Sequence, residues 1–215
     1  MNLNLSGSLN IFKLLAKPSL CLPHATVSTF NDLPIPLDAA FELPGGLRPD
    51  VRAVVLDKDD CFALPGTAAV YDEYKAQFAA LRAAYPGRRL LIVSNTAGAL
   101  SHDPHGAQAA ALEAATDVRV LAHRTKKPGC GAEVMAYFRR HPETGVSAPH
   151  HVAVVGDRLA TDMMLANAMG SWGVWVRAGV VPLGEKSVFA RLEQRFGPYL
   201  LARGLAAPRP TNPFE

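Results

Sequence analysis

Val51-Arg52-Ala53-Val54-Val55-Leu56-Asp57-Lys58-Asp59-Asp60 sets the frame for the rest of the chain. A short valine-rich apolar run reads as a strand buried on both faces, as in a parallel sheet. Charge then arrives abruptly, as three carboxylates and an ammonium within four residues. The same alternation continues C-terminally. Strands are expected at residues 51–56, 90–93, 118–122, 151–155 and 173–176. Helices are expected at 71–85, 107–115, from about 131 to before Pro142, and at 161–169. The pattern predicts an α/β fold of Rossmann type, a parallel sheet with helices on both faces.

Ligands bind beyond the carboxyl ends of strands in such sheets, so the residues that follow each strand matter most. Asp57-Lys58-Asp59 follows the first, Ser94-Asn95-Thr96 the second, Lys126-Lys127-Pro128 comes soon after the third, and Gly156-Asp157-Arg158 follows the fourth, with Asp162 close behind. Each block alone is an ordinary turn or cap; in this order, each after its own strand, they supply the groups for metal-assisted phosphoryl transfer. An aspartate attacking a phosphate anion needs a hard cation between the two charges. Oxygen ligands from Asp57, Asp157 and Asp162 suit Mg²⁺, and Asp59 is included in the candidate metal set. Asp59 is also the expected acid/base, with a pKa above that of the metal-bound Asp57. Ser94 and Asn95 are expected to hold phosphoryl oxygens, and a lysine of the Lys126-Lys127 pair to offset the charge of transfer.

The 215 residues, 49% hydrophobic and 19% charged, suffice for one well-filled domain. The net charge of +3 comes without a dense Lys/Arg run, so no nucleic-acid partner is expected. Cys21, Cys61 and Cys130 have no metal-ligand spacing, and Cys61 is expected to be a small buried filler. No strand is followed by the Gly-x-Gly-x-x-Gly turn of nicotinamide-binding folds. The organisation expected is an N-terminal amphipathic helix and connector over 1–47, a phosphatase core over 48–182, and a helix and loose tail over 183–215. In the first segment Leu5, Leu9, Phe12 and Ala16 follow helical spacing, and no acidic residue precedes Asp32. Such a helix can lie on a membrane, serve as a targeting signal or pack on protein. In the last segment Val188, Phe189, Leu192 and Phe196 form a stripe assigned to core packing or subunit contact ahead of a membrane contact.

The four blocks resemble the motifs of the haloacid dehalogenase (HAD) phosphatases. With Cys61, residues 91–98, Thr125 to Cys130, residues 154–159, Pro18 to Cys21, residues 30–34 and residues 170–176, the chain resembles the fungal mitochondrial phosphatidylglycerophosphate phosphatases. That resemblance implies removal of the terminal phosphate from phosphatidylglycerophosphate to give phosphatidylglycerol, a step toward cardiolipin. It also implies a peripheral location on the matrix side of the mitochondrial inner membrane. It puts the nucleophile on Asp57, the acid/base on Asp59, the phosphate-binding hydroxyl on Ser94, the metal carboxylates on Asp157 and Asp162, and the catalytic lysine on Lys127, with Lys126 as second choice. Asp60 departs from the neutral residue expected there and is taken to turn away and bond backbone. About 33 residues separate Asp60 from Ser94 and about 29 separate Thr96 from Lys126, too few for a folded cap. The site should be open, which suits a phospholipid at a membrane surface, with the N-terminal helix as the membrane contact and a homo-oligomer as the assembly. The rival readings are a capless phosphatase of soluble sugar or nucleotide phosphates and a non-catalytic membrane-binding module on the same scaffold.

Overall fold

The computed structural model describes residues 17–210. The amphipathic helix expected over residues 5–16 lies outside the described residues. Six parallel strands form one sheet: β1 (Ala25–Val27), β2 (Ala53–Leu56), β3 (Leu90–Ile92), β4 (Arg119–Val120), β5 (Val152–Gly156) and β6 (Trp172–Val176), in the spatial order β1-β6-β5-β2-β3-β4. The helices are α1 (Lys75–Ala84), α2 (Ala107–Thr116), α3 (Gly131–Arg140), α4 (Met164–Met169) and α5 (Val188–Ala202).

Alternation along the strands builds two core layers. Val54, Leu56, Leu90, Ile92 and Val155 point to one face, where they pack with Phe78 and Leu81 of α1, Leu112 of α2 and Phe30 from the N-terminal segment. Ala53, Val55, Leu91, Val152 and Val154 point to the other, against Val134 and Phe138 of α3 and Leu165 of α4. Strands covered on both faces have no polar side, which is why they read as continuous apolar runs.

Two expectations are corrected. The stretch expected to be plain connector contributes a strand to the sheet, because β1 pairs with β6 through Ala25↔Val174, Thr26↔Trp175 and Val27↔Val176. Asn167 of α4 fastens the segment before it, donating from Nδ2 to the carbonyls of Leu20 and Leu22 at 2.7 and 2.8 Å. The helix expected over 161–169 begins instead as a wide π-turn, Leu159–Met163, before α4. Such turns recur at functional sites.

β2 is the topological switch point. The chain leaves it through β3 and β4 on one side and returns through β5 and β6 on the other. Leu56 pairs with Ile92 and Val155, so the residues after β2, β3 and β5 open onto one crevice.

Candidate active site

Asp57 follows β2 directly, its N–H donating to the Val155 carbonyl at 2.9 Å. Asp157 follows β5, and its carbonyl accepts from Trp175 Nε1 at 2.9 Å. Asp162 is carried back to the same point by the π-turn, where its Oδ2 accepts from the Arg158 N–H at 3.1 Å. The three carboxylates are buried and offer oxygens that all lie within 4.8 Å of one another. Lys127 enters from the loop after β4, pairing with Asp57 Oδ1 and lying 2.7 Å from Asp162 Oδ1. Asn95 holds that loop, its Oδ1 accepting from the Lys127 N–H at 2.8 Å. Lys126 is exposed and makes no ion pair among the described residues.

The charges do not balance. One ammonium faces three carboxylates, and Asp157 Oδ1 is buried without a hydrogen-bond partner. Asp162 Oδ1 lacks a hydrogen bond of good geometry despite its closeness to Lys127. Burial, then the Lys127 and Asp162 charges in opposite senses, push Asp57 up to about 6. Burial and the charges of Asp57 and Asp162 push Asp157 well up as well. Burial alone would depress the Lys127 ammonium, but Asp162 and Asp57 outweigh it and hold it raised. A hard divalent cation with oxygen-only ligands fits this donor set, and it would occupy lone pairs that the protein leaves open.

Gly156 makes the cluster possible. A Cβ there would collide with the Asp162 carboxyl carbon and stand 2.6 Å from its Cβ. Gly156→Ala is therefore expected to displace Asp162 and lower divalent-metal affinity by about 10- to 100-fold. Calorimetric titration with Mg²⁺ would test this, and unchanged affinity would refute it.

Asp59 belongs to a second, adjoining network. Its Oδ1 receives Lys58 Nζ at 2.5 Å and the Gly66 N–H at 3.1 Å, while its Oδ2 receives Thr96 Oγ1 at 2.7 Å and Ser94 Oγ at 3.3 Å. This corrects one expectation: the Asp59 carboxylate stands outside the triad of Asp57, Asp157 and Asp162. Burial raises Asp59, but the bonds from Lys58 and Thr96 outweigh it and leave it lowered in the metal-free site. Ser94 is fully buried beneath this network, and Asn95 and Thr96 present the cleft surface after β3.

The cleft has a volume of about 440 Å³. Each gap between the motifs holds one α-helix, one strand of the sheet and short turns, with no folded insert. Three contributors escaped sequence reasoning. Lys58 is buried and clamps Asp59 while donating to the Thr67 carbonyl at 3.0 Å. Thr96 offers its hydroxyl to Asp59, a role legible only in that it stands two residues beyond Ser94. Lys186 pairs with Asp60 Oδ2 from far along the chain and brings the segment before α5 into the cleft wall. Asp60 does bond backbone, accepting from the Val180 and Val181 N–H groups at 2.8 and 2.6 Å, yet it also lines the cleft. Gly179 has to be glycine, because a Cβ would sit 2.5 Å from the Asp60 carbonyl oxygen.

Among the described residues α5 does not turn its expected stripe to the core, which leaves subunit or membrane contact. Its inward face is Ala190, Gly197 and Leu200, with Glu193 receiving Arg158 Nε at 2.8 Å. Gly197 lets the helix approach Leu159 closely, where a Cβ would stand 2.7 Å from its Cδ1. The stripe assigned to core packing or subunit contact is turned to solvent among the described residues, Phe189 being 74% exposed. Cys61 is fully buried, as expected of a filler.

The switch-point site, with Asp57 and Asp59 after β2, the buried Lys127 and the distal carboxylates Asp157 and Asp162, defines an α/β protein of the doubly wound parallel-sheet class with a buried oxygen-donor cluster beyond its strand ends. Within that class, the chain belongs to the mitochondrial PGP phosphatase family, whose model matches residues 5–181. It is 48% identical to the mitochondrial phosphatidylglycerophosphatase of Saccharomyces cerevisiae over 83% of this chain and 89% of that one. A probable mitochondrial phosphatidylglycerophosphatase of Schizosaccharomyces pombe is 33% identical over 84% and 85% of the two chains. A chloroplastic phosphatidylglycerophosphate phosphatase of Chlamydomonas reinhardtii is 35% identical over 82% of this chain and 60% of its own length.

Proposed function

We propose that the protein is a Mg²⁺-dependent phosphatidylglycerophosphatase that works through an aspartyl-phosphate on Asp57. The observation that carries the chemistry is the buried cluster of Asp57, Asp157, Asp162 and Lys127 at the switch point. The substrate is supported by the 48% identity to the yeast mitochondrial phosphatidylglycerophosphatase. A mitochondrial location is supported by the same relative and the fission-yeast one. A peripheral position at the inner membrane accords with the absence, among the described residues, of any helix long and apolar enough to cross a bilayer.

Asp57 attacks the terminal phosphorus through a carboxylate oxygen while the bond to the phosphatidylglycerol oxygen breaks. Lys127 meets the negative charge that gathers on the phosphoryl oxygens. Asn95 fixes the backbone that carries Lys127, and Thr96 offers a hydroxyl at the cleft wall. Asp59, which the phosphate anion entering beside it raises into its protonated form, gives that proton to the departing lipid alkoxide and then takes one from the water that attacks the phosphorus of the intermediate, which releases phosphate and frees Asp57. Lys58, Thr96 and Ser94 hold the Asp59 carboxyl in place between the two steps. Mg²⁺ would be held by Asp57, Asp157 and Asp162, and when bound it offsets the charge between nucleophile and phosphate.

The substrate assignment is tested by phosphate release with Mg²⁺, comparing phosphatidylglycerophosphate in mixed micelles with a panel of soluble sugar and nucleotide phosphates. Strong preference for the lipid is the expected result. Turnover of the soluble esters alone would move the activity to a soluble substrate on the same site.

Metal binding carries a pH signature. A carboxyl whose folded pKa is raised favours the fold fully below its unfolded value and loses that contribution as pH rises through the folded one. For Asp57 the window runs from 3.8 to about 6, and Asp157 extends it upward. The metal-free protein is thus expected to lose thermal stability as pH rises through this range, and Mg²⁺ to restore it while releasing protons. Calorimetry in buffers of different ionisation enthalpy reads those protons directly; Mg²⁺ binding near pH 6 without proton release would contradict the prediction.

A further inference from the structure

We propose that the solvent face of α5 is the surface by which this protein docks on an anionic lipid bilayer. The inference rests on the lipid reading of the site and specifies where the membrane would lie. Val188, Phe189, Leu192, Phe196 and Tyr199 recur at helical spacing and are all exposed, Phe189 at 74% and Leu192 at 61%. An amphipathic helix on a globular domain ordinarily turns such a stripe inward. Here the inward positions are taken by Ala190, Gly197 and Leu200, so the apolar side is left without a partner among the described residues.

Charge decides the occupant. Arg191, Arg195 and Arg203 are exposed beside the apolar stripe, and none makes an ion pair among the described residues. The only acidic residue of α5, Glu193, is turned inward, where Arg158 pairs with it at 2.8 Å. The solvent face is therefore apolar and cationic with no carboxylate, the composition of a helix that lies in the interface of an anionic membrane. A second copy meeting this face with its own would set arginine against arginine. Residues 1–16 carry no acidic side chain and offer no complement to the arginines either.

Position supports the same occupant. Lys186, Ser187 and Ala190, at and just before the start of α5, line the cleft that holds Asp57 and Asp157. Val188 and Phe189 stand beside them on the solvent side, so a bilayer seated on the stripe lies next to the cleft mouth. A lipid headgroup can then reach the nucleophile while its acyl chains stay in the membrane.

The test is vesicle flotation of the full chain with phosphatidylcholine alone or mixed equally with phosphatidylglycerol. One variant joins Phe189→Ser with Leu192→Ser and a second joins Arg191→Glu with Arg195→Glu. Wild type is expected to float with the mixed vesicles and at least about tenfold less with phosphatidylcholine, less still in high salt. Each variant should lose at least about tenfold of its binding to mixed vesicles. Hydrolysis of p-nitrophenyl phosphate should stay within about twofold, which shows that fold and site are intact. Variants that float as wild type would overturn the proposal. So would variants that turn an oligomer into monomers while vesicle binding persists, since the face would then be a contact between copies. Docking through α5 without lipid hydrolysis would sink the substrate assignment and leave the docking face standing. Lipid hydrolysis in micelles with vesicle binding unaffected by either variant would do the reverse.

Discussion

Asp57→Asn is expected to reduce Mg²⁺-dependent phosphate release by at least about four orders of magnitude, with the fold unchanged. The amide is nearly isosteric but lacks the anionic oxygen that must bond to phosphorus. It also removes one of the three oxygens of the buried carboxylate cluster. Structural loss should be small, because the change removes a buried charge from a site with excess negative charge. Single-turnover measurements on the purified variant, alongside circular dichroism, separate chemistry from folding. Substantial residual turnover would mean that another group attacks phosphorus.

Lys127→Met should impair both function and fold. Its ammonium faces Asp57 and Asp162 and is, among the described residues, the only cation that directly pairs with the triad. Its side chain is 3% exposed, so water cannot replace it. Removing one partner of a buried ion pair typically costs about 3–5 kcal/mol, because the charge left behind is uncompensated. For the metal-free protein near pH 8 this predicts a large drop in urea midpoint. Acidification or Mg²⁺ should recover part of the loss, since either one neutralises the stranded carboxylates. Turnover should fall by about 10²- to 10³-fold even when Mg²⁺ is saturating, through loss of the group that meets the phosphoryl charge. A variant as stable as wild type near pH 8 without metal would contradict the description of the cluster.

Much of this was legible because β2, β3 and β5 are apolar on both faces and the chemistry begins where each run stops. Asp57, Ser94 and Asp157 could be placed on that basis, and Lys127 in the loop after β4. What escaped depends on partners distant in sequence. Ala25–Val27 is too short and too exposed to announce a strand, and becomes one only because β6 offers its edge. Lys186 lies 126 residues from Asp60, and nothing local to it signals a site. Lys58 sits between Asp57 and Asp59 in sequence, and nothing local tells which of the two it serves. In the structure it bonds Asp59. α5 was legible as a helix, but its orientation was not. The largest side chains marked the apparent inner face, whereas Gly197 allows closer packing against Leu159 and Glu193 ties that side to Arg158. An apolar stripe identifies a contact surface without naming what it contacts.

The central claim is that phosphate passes through a covalent bond to Asp57. Rapid quenching during turnover, followed by borohydride reduction and peptide mass spectrometry, tests it directly, because an acyl phosphate on aspartate is reduced to homoserine. Homoserine at position 57, formed only with substrate and Mg²⁺ and at no other aspartate, is the predicted result. Homoserine at position 59, or none while the enzyme is turning over, would contradict it.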